Sequence, residues 1–231
     1  MFHPASPISV LGFLLICFLV LVALIRGVWA SARRDSVSAW GRTLPVALGT
    51  VVWLALLSAV VSSGWAEVNP ARTAILVASV ALVSLAIGLS PVGGWLAGSP
   101  LTWLVGFQAF RLPLELVLHS WAAQGVIPES MTWSGSNWDV VSGIVALLCA
   151  PLARRFAGLA WVANGTGLLL LGNVARVAVM SSPVPFGWPV TPKLLLIYHT
   201  PYALIVPVCV GGALMGHIAL TRALIARRSK G

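Results

Sequence analysis

The chain has 231 residues, of which 59% are hydrophobic and only 8% are charged, and its mean hydropathy is +0.98. A soluble domain carries about 25% charged residues, so this composition excludes an ordinary soluble protein and predicts an integral membrane protein. The 14 Lys and Arg residues against 5 Asp and Glu give a net charge of +9. Because the basic residues bracket apolar runs, they indicate membrane topology and contact with anionic lipid headgroups rather than nucleic-acid binding.

Seven apolar runs predict an all-α polytopic bundle of about seven transmembrane helices, with residues 1–231 as a single membrane domain. A helix needs about 20 residues to cross a bilayer. The predicted spans are 8–25, 44–65, 73–89, 103–121, 138–153, 157–180 and 194–220. The fifth is short, so we expect it to be tilted or partly re-entrant. Pro113 is expected to kink the fourth.

The basic residues also predict the orientation of the bundle. If the segment 26–42 is cytoplasmic, ten basic residues fall inside and only Arg72 and Lys193 fall outside. The ten are Arg26, Arg33, Arg34, Arg42, Arg154, Arg155, Arg222, Arg227, Arg228 and Lys230. Basic residues concentrate in cytoplasmic loops, so the N-terminus is predicted outside and the C-terminus inside.

The fourth span carries an unusual polar face. Gln108, Arg111, Glu115 and His119 recur at i, i+3, i+7 and i+11 and therefore share one side of a helix. A charged side chain at the centre of a bilayer costs roughly 2.5–3.5 kcal/mol on insertion scales, so such residues face a protein interior and mark functional sites. We interpret this face as the centre of a candidate site.

Further polar residues are predicted in the outer half of the bundle, on elements distant in sequence. They are Ser134, Ser136 and Asn137 before the fifth span, Asp139 at its start, Asn173 and Arg176 in the sixth, and His199 at the start of the seventh. Several also have purely structural explanations. Arg111 and Glu115 could form an ion pair between helices, Asp139 could cap a helix, and Arg176 could reach lipid headgroups.

One pair of segments carries a family resemblance. Asn173 and Arg176 lie in GNVARVAVM, which is followed by His199 in IYHTPYALIVP. This pattern resembles the exosortase/archaeosortase membrane transpeptidases, which act on the outer side of the membrane. The family cysteine, expected near 134–139, is absent here. The segments MTWSGSNWD and QAFRLPLELVLH are also similar to a family of bacterial multispanning membrane proteins of uncharacterised activity. The resemblance implies a multi-pass protein of the bacterial cytoplasmic (inner) membrane.

Three functions are weighed from the sequence, and a haem or metal protein with His119 and His199 at one site stays open as a fourth alternative. The first is an exosortase-like enzyme acting on a lipid-linked or peptide substrate. Arg176 would hold an oxyanion and His199 would transfer protons. Asp139 or Glu115 would orient His199. Ser134 or Ser136 would replace the cysteine nucleophile. The predicted substrate-binding residues are Gln108, Arg111, His119, Ser134, Ser136, Asn137 and Asn173.

The second function is a non-catalytic lipid-binding or accessory membrane subunit, which the missing cysteine favours. The third is a proton-coupled transporter in which Arg111, Glu115 and His119 line a path. The cysteines Cys17, Cys149 and Cys209 lie in apolar runs without metal-ligand spacing, so no metal or cofactor is expected. The expected partners are membrane lipids, and the sequence does not specify an oligomeric state.

Overall fold

The apolar runs form nine α-helices in the computed structural model, which describes residues 2–228. The helices are α1 (Pro7–Arg34), α2 (Ala39–Ser62), α3 (Pro70–Leu89), α4 (Pro91–Ala97), α5 (Leu101–Phe107), α6 (Arg111–Ala123), α7 (Asp139–Cys149), α8 (Ala157–Ser181) and α9 (Gly211–Arg228). No β-strand occurs within these residues. The predicted all-α class is therefore confirmed.

Six helical stretches are long and apolar enough to cross a membrane, which indicates a multi-pass membrane protein. They are Pro7–Arg34, Ala39–Ser62, Pro70–Leu89, Leu101–Ala123, Ala157–Ser181 and Tyr202–Arg227. The predicted fifth span, 138–153, contains only α7, an apolar helix of 11 residues. At 1.5 Å per residue this helix is about half as long as a bilayer requires.

The segment between α6 and α8 nevertheless passes from one end of the bundle to the other. Trp121 and Val126 belong to one buried hydrophobic cluster, which also contains Phe13 near the start of α1. Cys149, by contrast, belongs to a second cluster. An irregular loop, 124–138, thus covers the first part of the passage, and α7 covers the rest.

One end of the bundle, which we call the basic end, collects arginines from three helices, α1, α2 and α9. Arg34 donates to the carbonyl of Trp95 at 2.9 Å, and Arg42 pairs with Asp35 at 2.5 Å. Arg222 donates to two carbonyls at the end of α3, both at 2.8 Å. These bonds bring the ends of α1, α3 and α9 and the start of α2 to the same side. Lys230 of the predicted basic tail lies outside the described residues.

Several helix boundaries differ from the sequence prediction, most of all the end of α1 and the start of the last span. Helix α1 continues to Arg34 instead of ending near residue 25, so Arg26, Arg33 and Arg34 lie on a helix and not in a loop. The last span begins at Tyr202 and not at 194. A 3-10 turn, Leu196–Tyr198, and Pro201 precede Tyr202. Pro201 has no amide hydrogen for a helical bond to the carbonyl four residues earlier.

A short break in the fourth predicted span positions the polar face. A 3-10 turn, Gln108–Phe110, separates α5 from α6. Pro113 lies at the start of α6, and a proline ring clashes with the carbonyl four residues earlier, which here belongs to Ala109. The expected irregularity therefore falls just before Arg111, which becomes the first residue of α6.

Candidate functional site

Arg111 is the centre of a buried polar cluster in the middle of the bundle. The residue has only 1% of its surface exposed. Its Nη1 donates to the hydroxyl of Ser142 at 2.7 Å and to the carbonyl of Gly167 at 3.1 Å. The same nitrogen lies 3.0 Å from Oδ1 of Asp139. Arg111 thus joins α6 to α7 and α8 through charge-assisted hydrogen bonds.

Glu115 occupies the next turn of α6 and bonds to the irregular loop. Its Oε1 accepts a hydrogen bond from Nδ2 of Asn137 at 2.9 Å, and the same amide donates to the carbonyl of Met131 at 3.1 Å. The backbone amide of Asp139 donates to Oδ1 of Asn137 at 3.2 Å. Asn137 therefore holds Glu115 and the start of α7 together.

Buried polar atoms without a hydrogen-bond partner are concentrated at this cluster. Across the described residues they are Oγ1 of Thr43, Oε1 of Gln108, Nη2 of Arg111, Oε2 of Glu115 and Nε2 of His217. Apart from the Thr43 atom, they belong to α6, to Gln108 in the 3-10 turn just before it, or to His217 on α9. An unpaired buried polar group costs about 1–3 kcal/mol, so this cluster has unused capacity to bind water or a ligand.

A cavity of about 620 Å³ reaches the polar cluster. Arg111, Glu115, Asn137 and Asp139 all line it, and most of the remaining lining is apolar. One wall is the first half of α3, with Ala71, Ala74 and Ala78, and the opposite wall is the second half of α8, with Ala175 and Ala178. These ends of α3 and α8 lie away from the basic end. Apolar walls with a few convergent polar groups are typical of ligand-binding cavities.

A second polar group, which the sequence analysis did not include in the site, lies between α8 and α9. His217 is fully buried and its Nδ1 is 2.9 Å from Oδ1 of Asn164. Nδ2 of Asn164 donates to the hydroxyl of Thr221 at 2.7 Å, so its oxygen accepts and His217 carries its proton on Nδ1. Gly167, whose carbonyl binds Arg111, packs against the imidazole ring. His217 and Thr221 are one helical turn apart and share a face of the helix, and this spacing could have indicated the buried polar group from the sequence.

The structure does not bring the other predicted site residues to this cluster. His119 is exposed and stacks on Trp133, with ring centroids 4.3 Å apart. His199 stacks on Phe2 with centroids 4.0 Å apart. Ser134 is exposed in the loop. These three side chains lie outside the lining of the cavity.

Arg176 and Asn173 form a separate pair on α8. Nη2 of Arg176 donates to Oδ1 of Asn173 at 2.9 Å, and its guanidinium lies 5.4 Å from the ring centroid of Trp188. Nδ2 of Asn173 donates to the carbonyl of Ser136 at 2.8 Å. Arg176 is exposed. The pair therefore attaches the loop to α8 from outside the buried cluster.

Within residues 2–228, no group of three or more His, Cys, Asp or Glu side chains could hold a metal ion. The three cysteines are free and buried. The chemistry available at the cluster is thus that of one guanidinium, two carboxylates and their amide and hydroxyl partners.

Comparison with known proteins adds no relative to this description. Neither the scan against protein-family models, nor the search of curated proteins, nor the search of solved structures returned a match.

Proposed function

We propose that this chain is a bacterial inner-membrane protein that binds an amphipathic lipid or lipid-linked molecule in the cavity between α3 and α8. The observation that carries the proposal is an apolar cavity of about 620 Å³ that ends on buried Arg111, Glu115, Asn137 and Asp139. Its volume falls within the range of roughly 300–1,000 Å³ found for small-molecule sites. An apolar tail would fill the cavity while a polar head contacts the unpaired atoms of Arg111 and Glu115.

The topology proposed with this function has seven crossings, an outer N-terminus and an inner C-terminus. The fifth crossing is the loop 124–138 followed by α7. The basic end faces the cytoplasm under the rule that positive charges stay inside, and the cavity then lies in the outer half of the membrane. Lipids in that leaflet could enter between the small side chains of α3 and α8.

Filling the cavity is expected to remove the bound lipid without unfolding the protein. Ala74 and Ala175 are exposed residues on opposite walls, so tryptophan at both positions should occupy the space of a lipid tail. Native mass spectrometry should detect lipid retained by the wild-type protein and a loss of at least tenfold in the double variant. Ala55→Trp, on the exposed face of α2, is the matched control. Equal retention by all three proteins would refute the proposal.

A second candidate function is exosortase-like processing of a peptide at the outer face. Its support is the Asn173–Arg176 pair, which leaves an exposed guanidinium beside the cavity wall formed by Val174 and Ala175. A guanidinium held in this way can bind a carboxylate or an oxyanion. His199 would then supply a proton-transfer group.

This second candidate predicts that Arg176→Lys and His199→Ala abolish processing while leaving the melting temperature unchanged. A lysine cannot reproduce the bidentate geometry of arginine, so activity should fall at least a hundredfold. Mass spectrometry of cell-surface peptides from expressing cells should show new C-termini only with the wild-type protein. Persistence of those termini in the Arg176→Lys strain would eliminate this candidate.

A further inference from the structure

We propose that the cavity exchanges a proton for a lipophilic cation at Glu115. This inference rests on the proposed function and names its ligand class, an organic ammonium or phosphonium ion with apolar substituents. It follows from the charges of the buried cluster, the free oxygen of Glu115 and the lining of the cavity.

The buried cluster contains one more carboxylate than its cations can balance. Arg111 forms its salt bridge with Asp139 and not with Glu115. Glu115 is 1% exposed, and its one hydrogen-bond donor is the neutral amide of Asn137. An uncompensated buried charge is strongly unfavourable. A proton on Glu115 or a cation in the cavity must therefore balance this carboxylate.

Among residues 2–228, the elements that pack against α6 supply no second cation to Glu115. Helix α6 packs against α1, α7 and the short turn Glu129–Met131. The first half of α1, which packs against α6, has no charged residue. The charged residue of α7 is Asp139, which is acidic. Glu129 is exposed. His217, deeper in the bundle on α9, hydrogen-bonds to Asn164. The charge of Glu115 is thus not balanced by a neighbouring helix.

The cavity provides the remaining features of a lipophilic-cation site. Oε2 of Glu115 has no partner, and Glu115 lines the cavity. Three aromatic side chains, Phe110, Phe186 and Tyr198, also line it. Aromatic faces attract organic cations, and this attraction strengthens where water is excluded. Asp139 neutralises Arg111, which offsets the repulsion between Arg111 and an entering cation.

The exchange is balanced in charge and in atoms. As the cation enters, the O–H bond of Glu115 breaks, its proton passes to water, and the carboxylate pairs with the cation. One proton leaves for each monovalent cation bound, and nothing is oxidised or reduced. By linkage, cation affinity should fall as pH decreases, by up to about tenfold per pH unit, because protons compete for the same oxygen.

The test uses the full chain purified in detergent and two probes of similar shape, tetraphenylphosphonium as the cation and triphenylphosphine oxide as the neutral compound. Calorimetry in two buffers of different ionisation enthalpy should show tetraphenylphosphonium binding with the release of one proton. Glu115→Gln should weaken cation binding at least tenfold and abolish proton release. Its binding of triphenylphosphine oxide should stay within twofold of the wild-type value, which also shows that the variant is folded. Glu129→Gln is the matched control and should behave as the wild type.

The outcomes separate this inference from the proposed function. Cation binding without proton release in the wild-type protein would overturn the exchange, and this measurement needs no variant. Unchanged cation binding by a folded Glu115→Gln protein would also overturn it. The protein could instead bind only the neutral probe and lose that binding in the variant with Ala74→Trp and Ala175→Trp. That result would refute cation exchange at Glu115 and support ligand binding in the cavity. Binding of neither probe, together with no retained lipid, would refute both.

Discussion

Replacing Arg111 with leucine is expected to lower the free energy of unfolding by roughly 3–5 kcal/mol, because it leaves buried Asp139 without its cation. The substitution also removes the donors to Ser142 and Gly167, which connect α6 to α7 and α8. A loss of this size should reduce the melting temperature in detergent by roughly 10 °C for a chain of this length. Thermal unfolding followed by circular dichroism measures the effect.

Two variants show whether the destabilisation is specific to the buried Arg111 or would follow the loss of any arginine. Arg176→Leu removes an exposed arginine whose hydrogen bonds go to Asn173, so it should cost less than about 1 kcal/mol. The double variant Arg111→Leu with Asp139→Leu should recover part of the loss, because the pair then leaves no buried unpaired charge. If Arg111→Leu is no more destabilising than Arg176→Leu, the buried cluster is not a structural centre.

The polar face of α6 was predictable from the sequence because it depends only on the period of the helix. Gln108, Arg111 and Glu115 are separated by three and four residues, and all three are buried in the structure. His119 has the same spacing but lies near the end of α6, where no helix covers it. Periodicity therefore identified the face of the helix but not how far the protein interior extends along it.

The salt bridge between Asp139 and Arg111 could not be obtained from the sequence. A polar loop after an apolar span is expected at the membrane surface, yet the loop 124–138 folds back into the bundle and delivers Asp139 to Arg111. The loop is tightly packed at Gly135, where an added Cβ would lie 2.6 Å from Cα of Ser130. Contacts of this kind depend on the tertiary path of the chain, which hydropathy and turn propensity do not describe.

Arg176 and His199 show a related limit of sequence reasoning. Both were expected in the same half of the bundle as Glu115. Depth along the membrane normal does not fix the rotation of a helix about its own axis, however, and Arg176 is exposed on α8. His199 precedes the last helix and packs on Phe2 at the other end of the sequence. Residues at a common depth therefore form one site only when packing turns them toward each other.

Replacing Gly167 with alanine should be one of the most damaging small substitutions in this chain. An added Cβ would lie 2.6 Å from Nε2 of His217, whose ring is fully buried and held by Asn164. The ring cannot move without breaking that bond, and a shift of α8 would pull the Gly167 carbonyl away from Arg111. We expect a cost of about 1–3 kcal/mol from overpacking, measured as a lower melting temperature.

The same helix provides the control, because Gly165 and Gly172 have no atom within 4 Å of an added Cβ. Alanine there should be neutral or stabilising by up to about 1 kcal/mol, since glycine is a poor helix former. When Gly167→Ala is introduced into a protein that already carries His217→Ala, it should cost less than it does in the wild-type protein, because the ring that the new Cβ would contact is absent. Equal effects at all three glycines would mean that α8 and α9 do not pack through His217. The hydrogen-bonded pair of His217 and Asn164 would then not help to hold the Gly167 carbonyl against Arg111.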